Sequence, residues 1–177
     1  MTSDEFGKLV ERFNEQGKMI FIEGATEDQI TQFEKDNDIV LPSKYKEWLL
    51  FCDGGEFFLP AGVQMYGVDH KPIIDGKNDD RPDDSYVVIG ALASGDPVLF
   101  QKGDEKIYVY DHETGELDEE LTYDDFFAFL DDLYDLLGIG ELSYVKNKYE
   151  GEKQSNKTGM GKRATISSGR EGDPRLD

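Results

Sequence analysis

The sequence predicts an α+β fold in which a mostly antiparallel sheet is flanked by helices. Apolar residues in the first third of the chain recur at helical spacing. After Gly55 the pattern changes to short aromatic and β-branched segments separated by Gly, Pro and Asp, which is typical of strands joined by turns. A phenylalanine-rich helical pattern follows the strands. Because 177 residues suffice for one domain with a sizeable core, we expect a single folded domain.

The first helix is predicted from Asp4 to about Gln16. Its apolar residues fall at i, i+3, i+4 and i+7 and therefore share one face. They are Phe6, Leu9, Val10 and Phe13. A short strand is predicted next, from Met19 to Ile22.

Two more helices are predicted before the strands. Thr26 followed three residues later by Gln29 matches a capping box and starts a helix that ends near Asn37. The third helix begins at Ser43, which can act as its cap, and the pair Gly54-Gly55 is expected to stop it. Four residues of this helix share its buried face: Tyr45, Trp48, Leu49 and Cys52.

The central part of the chain predicts five strands, followed by one helix. The strands are Phe57–Leu59, Val63–Val68, Tyr86–Ile89, Val98–Gln101 and Lys106–Tyr110. The helix is predicted from Tyr123 to about Leu137, with an apolar face opposite an acidic one. The apolar face carries Phe126, Phe127, Phe129, Leu130, Leu133, Tyr134 and Leu137.

The composition changes near the end of the chain. From residue 151 onward there are no aromatic residues, and six basic residues outnumber four acidic ones. We therefore predict a folded domain over residues 1–145 and a flexible basic tail over residues 146–177.

Charge and cysteine content exclude several classes of function. The formal net charge is −20, so we expect no nucleic acid partner, because phosphate requires a basic surface. A surplus of carboxylates fits either solubility alone or the attraction of a basic partner. A single cysteine excludes an internal disulfide and a multi-cysteine zinc site. The acidic start and the lack of any apolar run of about 20 residues predict a cytoplasmic protein without membrane segments.

A predicted hairpin carries the most unusual polar residues. It opens with Gly95-Asp96-Pro97 and closes with Asp111-His112-Glu113. Acids and histidine could hold a metal, but adjacent strand residues point to opposite faces, so we expect these side chains to cap turns instead. No serine lies in a Gly-x-Ser-x-Gly elbow, and Cys52 is predicted to be buried. We therefore expect no catalytic residue, metal or cofactor.

The segment from Asp75 to Asp84 contains five acids in ten residues. It is compatible with a solvated loop, a loop that binds a partner, or a calcium site. The spacing of an EF-hand is absent, because Asp80 occupies the position that needs the sharp-turn glycine.

Four motifs in this order resemble the SUKH superfamily, which includes the SMI/KNR fungal cell-wall regulators. The four motifs are Ala25–Glu34, Ile39–Glu56, Gly95–Phe100 and Val109–Glu113. The resemblance spans about Gly17 to Gly138. It implies an α+β domain, and in bacterial members mostly an immunity protein that binds and blocks a cognate toxin, often a nuclease or deaminase. The fungal members suggest the alternative, a non-catalytic regulatory or scaffolding domain.

The resemblance and the charge together predict a protein that neutralises a basic, nuclease-type toxin through an acidic surface. Carboxylates would form charge-assisted hydrogen bonds with basic side chains of the toxin. The predicted contact residues are Asp53, Glu56, Tyr66, Asp79, Asp80, Asp83 and Asp84. The sequence leaves the oligomeric state open.

Overall fold

The computed structural model describes residues 3–60, 62–69, 72, 74 and 81–136 of the chain. These residues form four helices: α1 Ser3–Gln16, α2 Glu27–Asn37, α3 Ser43–Leu49 and α4 Phe126–Leu136. They also form seven strands: β1 Lys18–Glu23, β2 Cys52–Leu59, β3 Val63–Met65, β4 Tyr86–Ala91, β5 Pro97–Gln101, β6 Ile107–Asp111 and β7 Glu116–Tyr123. The predicted α+β class is confirmed.

All seven strands belong to one sheet, in which their spatial order is the same as their order along the chain. Every neighbouring pair is antiparallel, as predicted. Four of the six connections are short, whereas α2 and α3 lie between β1 and β2 and residues 66–85 lie between β3 and β4. The strand order makes β1 and β7 the two edges of the sheet.

The main core lies between the helices and one face of the sheet. Trp48 of α3 is fully buried, with its ring 5.7 Å from that of Phe57 in β2 and 6.1 Å from that of Phe126 in α4. Tyr45, one turn earlier in α3, also contacts Phe126, at 4.9 Å between ring centroids. These aromatic contacts hold α3 and α4 against the same side of the sheet.

The start of α2 follows the sequence prediction closely. The Thr26 hydroxyl accepts a hydrogen bond from the Gln29 backbone N–H at 3.2 Å, and the Gln29 side chain accepts one from the Thr26 N–H at 2.8 Å. Both bonds of a capping box are therefore present. The helix ends at Asn37, as predicted, with Asp38 in the left-handed conformation.

The predicted end of α3 is wrong. The helix ends at Leu49, and Cys52 begins β2 although its side chain is buried as expected. Gly54 and Gly55 have φ angles of +98° and +152° and lie inside the strand instead of stopping a helix. A Cβ atom at Gly55 would lie 2.1 Å from the Ile20 carbonyl oxygen, so the glycine allows β1 and β2 to approach each other.

Ser43 also differs from its predicted role as a cap. Pro42 occupies the cap position of α3, and its own side chain makes no capping hydrogen bond. The Ser43 backbone N–H and hydroxyl both donate to the Glu105 carboxylate at 2.7 Å, so Ser43 ties α3 to the turn between β5 and β6.

Strand β7 was not predicted, and Tyr123, the expected first residue of the last helix, is its final residue. The strand is rich in carboxylates, which are rare in strands, and its structure depends on pairing with β6 through Ile107–Tyr123 and Tyr110–Leu117. Helix α4 consequently begins at Phe126. The predicted strand from Val63 ends at Met65 rather than Val68.

The predicted tail over residues 146–177 lies outside the described residues, as does Leu137. No helix in the described ranges is long and apolar enough to cross a membrane.

The capping box of α2 can be tested with Thr26→Ala. Because the substitution leaves the Gln29 N–H without its side-chain acceptor, we expect the free energy of unfolding to fall by about 1 kcal/mol in urea denaturation. Thr31→Ala, at an exposed position within the same helix, is the control and should leave stability unchanged or slightly raised. Equal losses in both variants would contradict this role of Thr26.

Candidate partner-binding surface

The sheet has a second apolar cluster on the face opposite the main core. Side chains alternate along each strand, so Val87, Phe100 and Ile107 point into the main core while their neighbours point the other way. Those neighbours form a cluster to which no helix contributes in the described part of the chain. It comprises Val88, Leu99 and Tyr110, with Tyr66, Tyr86, Tyr108 and Leu117 packed against them. We call this the tyrosine face.

Two tyrosines of this face contact each other and a carboxylate. The rings of Tyr86 and Tyr108 meet edge to face, with centroids 5.9 Å apart. The Tyr108 hydroxyl donates to Asp104 at 2.9 Å. Burial, and then this hydrogen bond, raise the pKa of Tyr108 to about 12, so the hydroxyl is protonated at neutral pH.

Carboxylates lie beside the tyrosines at the loop ends of the strands. Asp83 and Asp84 are exposed in the turn before Tyr86, and Asp104 lies in the turn before Tyr108. Burial raises the pKa of Tyr86, and the negative charges of Asp83 and Asp104 raise it further. We call Asp83, Asp84 and Asp104 the acidic rim.

A buried arginine fixes the geometry of this rim. The Arg81 guanidinium donates to the carbonyl oxygens of Ile74 and Tyr86 and, at 2.9 Å, to the Asp84 carboxylate. The Asp83 carboxylate accepts from the Ser85 N–H at 2.7 Å, and hydrogen bonds from Ser85 lower its pKa. Both acids are thus held at the surface by hydrogen bonds.

Glu56 lies on the same face of the sheet, towards β1. Register pairs run from Glu56 to Gln64, from Gln64 to Ala91 and from Ala91 to Pro97. Because paired residues share a face, and Pro97 and Leu99 are two residues apart, Glu56 and the tyrosine face point the same way. Glu56 is exposed beside a shallow groove of about 240 Å³, whose other lining residues include Ile20 and Ile22.

Four of the predicted contact residues therefore lie on or next to one surface: Glu56, Tyr66, Asp83 and Asp84. Tyr66 belongs to the tyrosine face, and the two acids belong to its rim. Asp79 and Asp80 lie outside the described residues.

Asp53 does not lie on this surface. It is buried, with 3% of its area exposed, and its carboxylate accepts from the backbone N–H groups of Val68 at 2.6 Å and Asp69 at 3.1 Å. Burial raises its pKa, although these two hydrogen bonds act in the opposite direction. Asp53 therefore positions the segment that follows Tyr66, because both of its oxygens are occupied inside the protein.

Sequence reasoning missed Tyr86, Tyr108, Tyr110 and Asp104. The signal was the alternation in the segments Tyr86–Val88 and Ile107–Tyr110, which places tyrosines on the face opposite the core valine and isoleucine. A two-sided strand pattern can reveal such a surface when both faces carry apolar residues.

The unusual hairpin has a structural role at its end. The Asp111 carboxylate accepts from the N–H groups of Glu113 at 2.8 Å and Thr114 at 3.0 Å, which confirms the predicted turn cap. His112 Nδ1 lies 2.7 Å from Asp96, and this interaction raises the histidine pKa. The Ser94 hydroxyl bonds Asp96 rather than His112, so these three groups do not form the serine–histidine–acid order of a catalytic triad.

Cys52 has the environment of a core residue. Burial raises the pKa of its thiol to about 11, so the nucleophilic thiolate is scarce at neutral pH. In the described ranges, no three His, Cys, Asp or Glu residues are placed to hold a metal ion.

The role of Asp53 can be tested with Asp53→Ala. Two buried N–H groups lose their acceptor, so we expect the free energy of unfolding to fall by ~2–4 kcal/mol in urea denaturation. Asp69→Ala removes a neighbouring exposed carboxylate but keeps the backbone N–H, and it should change stability by less than ~0.5 kcal/mol. If both variants are equally stable, Asp53 does not hold the segment after Tyr66.

Comparison with protein families identifies the scaffold. A model of the SMI1/KNR4 family (SUKH-1) matches residues 24–132, which is more than half of the chain. The match includes α2, α3 and strands β2 to β7, and hence the whole tyrosine face. A search of curated proteins finds no match. Membership of this family fits an immunity role or a related one, which involves binding another protein. The chain belongs to the SMI1/KNR4 family (SUKH-1).

Proposed function

We propose that this chain is an immunity protein that binds a cognate toxin domain and blocks it. The observation that carries the proposal is the tyrosine face with its acidic rim, on the side of the sheet to which the described helices do not contribute. Family membership and the net charge of −20 support it. In this role the chain acts by covering the toxin and performs no chemistry itself.

The residue types on this surface suit a basic partner. Tyrosine rings offer apolar area with few rotatable bonds, and such residues often dominate the binding energy of interfaces. Lysine and arginine side chains can pack their methylene groups or guanidinium planes on these rings. The carboxylates of the rim can then accept charge-assisted hydrogen bonds from the same side chains.

The proposed toxin is of the nuclease type. A nuclease must present basic side chains to bind phosphate, so an acidic inhibitor competes for the groups that the substrate needs. The same charges attract the toxin from a distance and raise the association rate. A bacterial cell exposed to its own toxin benefits from such rapid capture.

The immunity function predicts that a toxin domain is encoded by a neighbouring gene, and the proposal is tested with that domain. Wild-type protein should bind the purified domain and restore growth when the two are co-expressed. The double variant Asp83→Asn, Glu56→Gln removes two exposed charges of the proposed surface while keeping acceptor oxygens. We expect this variant to bind the toxin about tenfold more weakly, mainly because association is slower. Isothermal titration calorimetry measures the affinity, and surface plasmon resonance measures the association rate.

The matched control is the double variant Glu11→Gln, Glu15→Gln. Both residues are exposed on α1, which packs on the other side of the sheet, and the charge change is the same. This variant should bind like wild type. Added salt should weaken binding of the wild type because it screens attraction between charges.

Two results would contradict the proposal in different ways. Equal affinity of the two double variants would place the binding surface elsewhere on the protein. Failure of the wild type to bind or neutralise the neighbouring toxin would reject the immunity function itself.

A further inference from the structure

The two edges of the sheet differ in charge. Strand β7 has four carboxylates and no basic residue: Glu116, Asp118, Glu119 and Glu120. Pairing of two such strands would bring like charges together, so this edge resists self-association. Strand β1 has one lysine and one glutamate, Lys18 and Glu23, and is therefore neutral within a chain of net charge −20.

The β1 edge is also where exposed apolar side chains collect. Among the described residues, five large hydrophobic side chains are exposed, and four of them lie on or beside β1. Ile20 and Ile22 are 45% and 43% exposed, and Leu50 and Phe51 are 44% and 36% exposed. Such a concentration of apolar area is typical of an interface.

These exposed side chains lie on two sides of β1: Ile20 and Ile22 are on the face that carries Glu56, whereas Phe51 packs on the helix side. The Phe51 ring lies 5.4 Å from that of Phe21 in β1. The Ala25 N–H, just after β1, bonds the Leu49 carbonyl oxygen at 2.8 Å. The end of α3 therefore adjoins the edge strand on the helix side, and we call the exposed pair Ile20 and Ile22 the edge patch.

Strand β1 keeps the regular geometry that pairing requires. Its two register shifts against β2 lie between Lys18 and Ile20 and between Phe21 and Glu23. In each case two steps along β1 match three steps along β2, so the extra residue of each bulge belongs to β2. Along β1, Lys18, Ile20 and Ile22 therefore share one face of the sheet.

We propose that β1 pairs antiparallel with β1 of a second copy of this chain, so that the sheet continues across a homodimer. Centring the pairing on Phe21 puts Ile20 opposite the partner subunit's Ile22, and the two-fold axis repeats this contact. This register matches like faces, because an antiparallel pair keeps opposed residues on one side of the sheet. Pairing Lys18 with the partner subunit's Glu23 would instead oppose residues of different faces.

Self-complementarity favours a second copy as the occupant of this edge, because antiparallel pairing about Phe21 opposes Ile20 and Ile22 twice and the strand carries no net charge. Two chains of charge −20 repel each other, and a neutral edge strand with an apolar patch is where they can approach. The two-fold axis is perpendicular to the sheet, so the dimer presents both tyrosine faces on the same side. This inference is independent of the proposed toxin, and residues 18–23 lie outside the family match.

Sedimentation equilibrium of the full chain, over a range of protein and salt concentrations, tests the dimer. We expect the mass to rise reversibly towards twice the chain mass of 20.1 kDa as protein concentration increases. Added salt should favour the dimer because it screens repulsion between acidic chains, whereas salt should weaken toxin binding. The two associations thus respond to salt in opposite directions.

Ile22→Lys should abolish the dimer, because it places a charge in the paired apolar strip. Ile20→Thr combined with Ile22→Thr keeps β-branched residues in the strand and should weaken dimerisation at least about tenfold if both isoleucine contacts are lost. Val40→Lys is the matched control: Val40 is 66% exposed in the connection between α2 and α3, and the variant should dimerise like wild type.

The proposal is overturned if the wild type stays monomeric at every protein and salt concentration. It is also overturned if folded Ile22→Lys protein dimerises as well as Val40→Lys. If the wild type is monomeric but Ile22→Lys loses toxin binding, the edge patch is part of the toxin interface and the dimer is rejected.

Discussion

The alternation of side chains across β4, β5 and β6 determines how both the helices and the tyrosines pack on the sheet. In these strands both faces carry apolar residues, so the sheet needs cover on both sides. Helices cover one side, with Trp48 at the centre of their aromatic contacts. On the other side tyrosines cover Val88 and Leu99 with their own rings, and tyrosine can do this because its hydroxyl remains able to bond at a wet surface.

The core and the tyrosine face are connected through the segment that follows β3. The Tyr45 hydroxyl, from the helix side, donates to the Tyr66 carbonyl oxygen at 2.7 Å. The Asp53 carboxylate accepts hydrogen bonds from the N–H groups of Val68 and Asp69, which follow Gly67. Gly67 lies between Tyr66 and Val68. A Cβ atom at this position would lie 2.2 Å from the Asp53 carbonyl oxygen, so only glycine allows the two backbone segments to come this close. Buried polar groups on one side of the sheet thereby position an aromatic residue on the other.

Local patterns predicted the parts of the fold that local interactions determine. The capping box at Thr26 and the apolar stripe of α1 depend on residues three and four apart, so the sequence displays them. Strand β7 depends on its partner β6, and its acidic residues conceal it. The sequence predicts a helix stop at Gly54-Gly55 because glycine occurs at helix ends as well as in bulged strands, and only the close approach of β1 distinguishes the two.

The sequence predicts only those parts of the candidate surface that composition or local pattern determines. Exposed acids such as Glu56 and Asp83 follow from composition, since carboxylates are seldom buried. The burial of Asp53 follows from two backbone N–H groups that arrive from fifteen and sixteen residues along the chain, and no local pattern encodes this. Tyr86 and Tyr108 become recognisable as surface residues once the register of β4 with β5 is known.

The proposed binding of a toxin by the tyrosine face can be followed through the ring resonances of its tyrosines. The nine tyrosines of the full chain are isotopically labelled, and unlabelled toxin domain is added stepwise while NMR spectra are recorded. We expect the ring signals of Tyr86 and Tyr108 to shift, while Tyr123, which packs against Phe129 of α4 at 5.5 Å, stays unchanged. Shifts at Tyr123 with none at Tyr86 or Tyr108 would show that the toxin binds elsewhere than the tyrosine face.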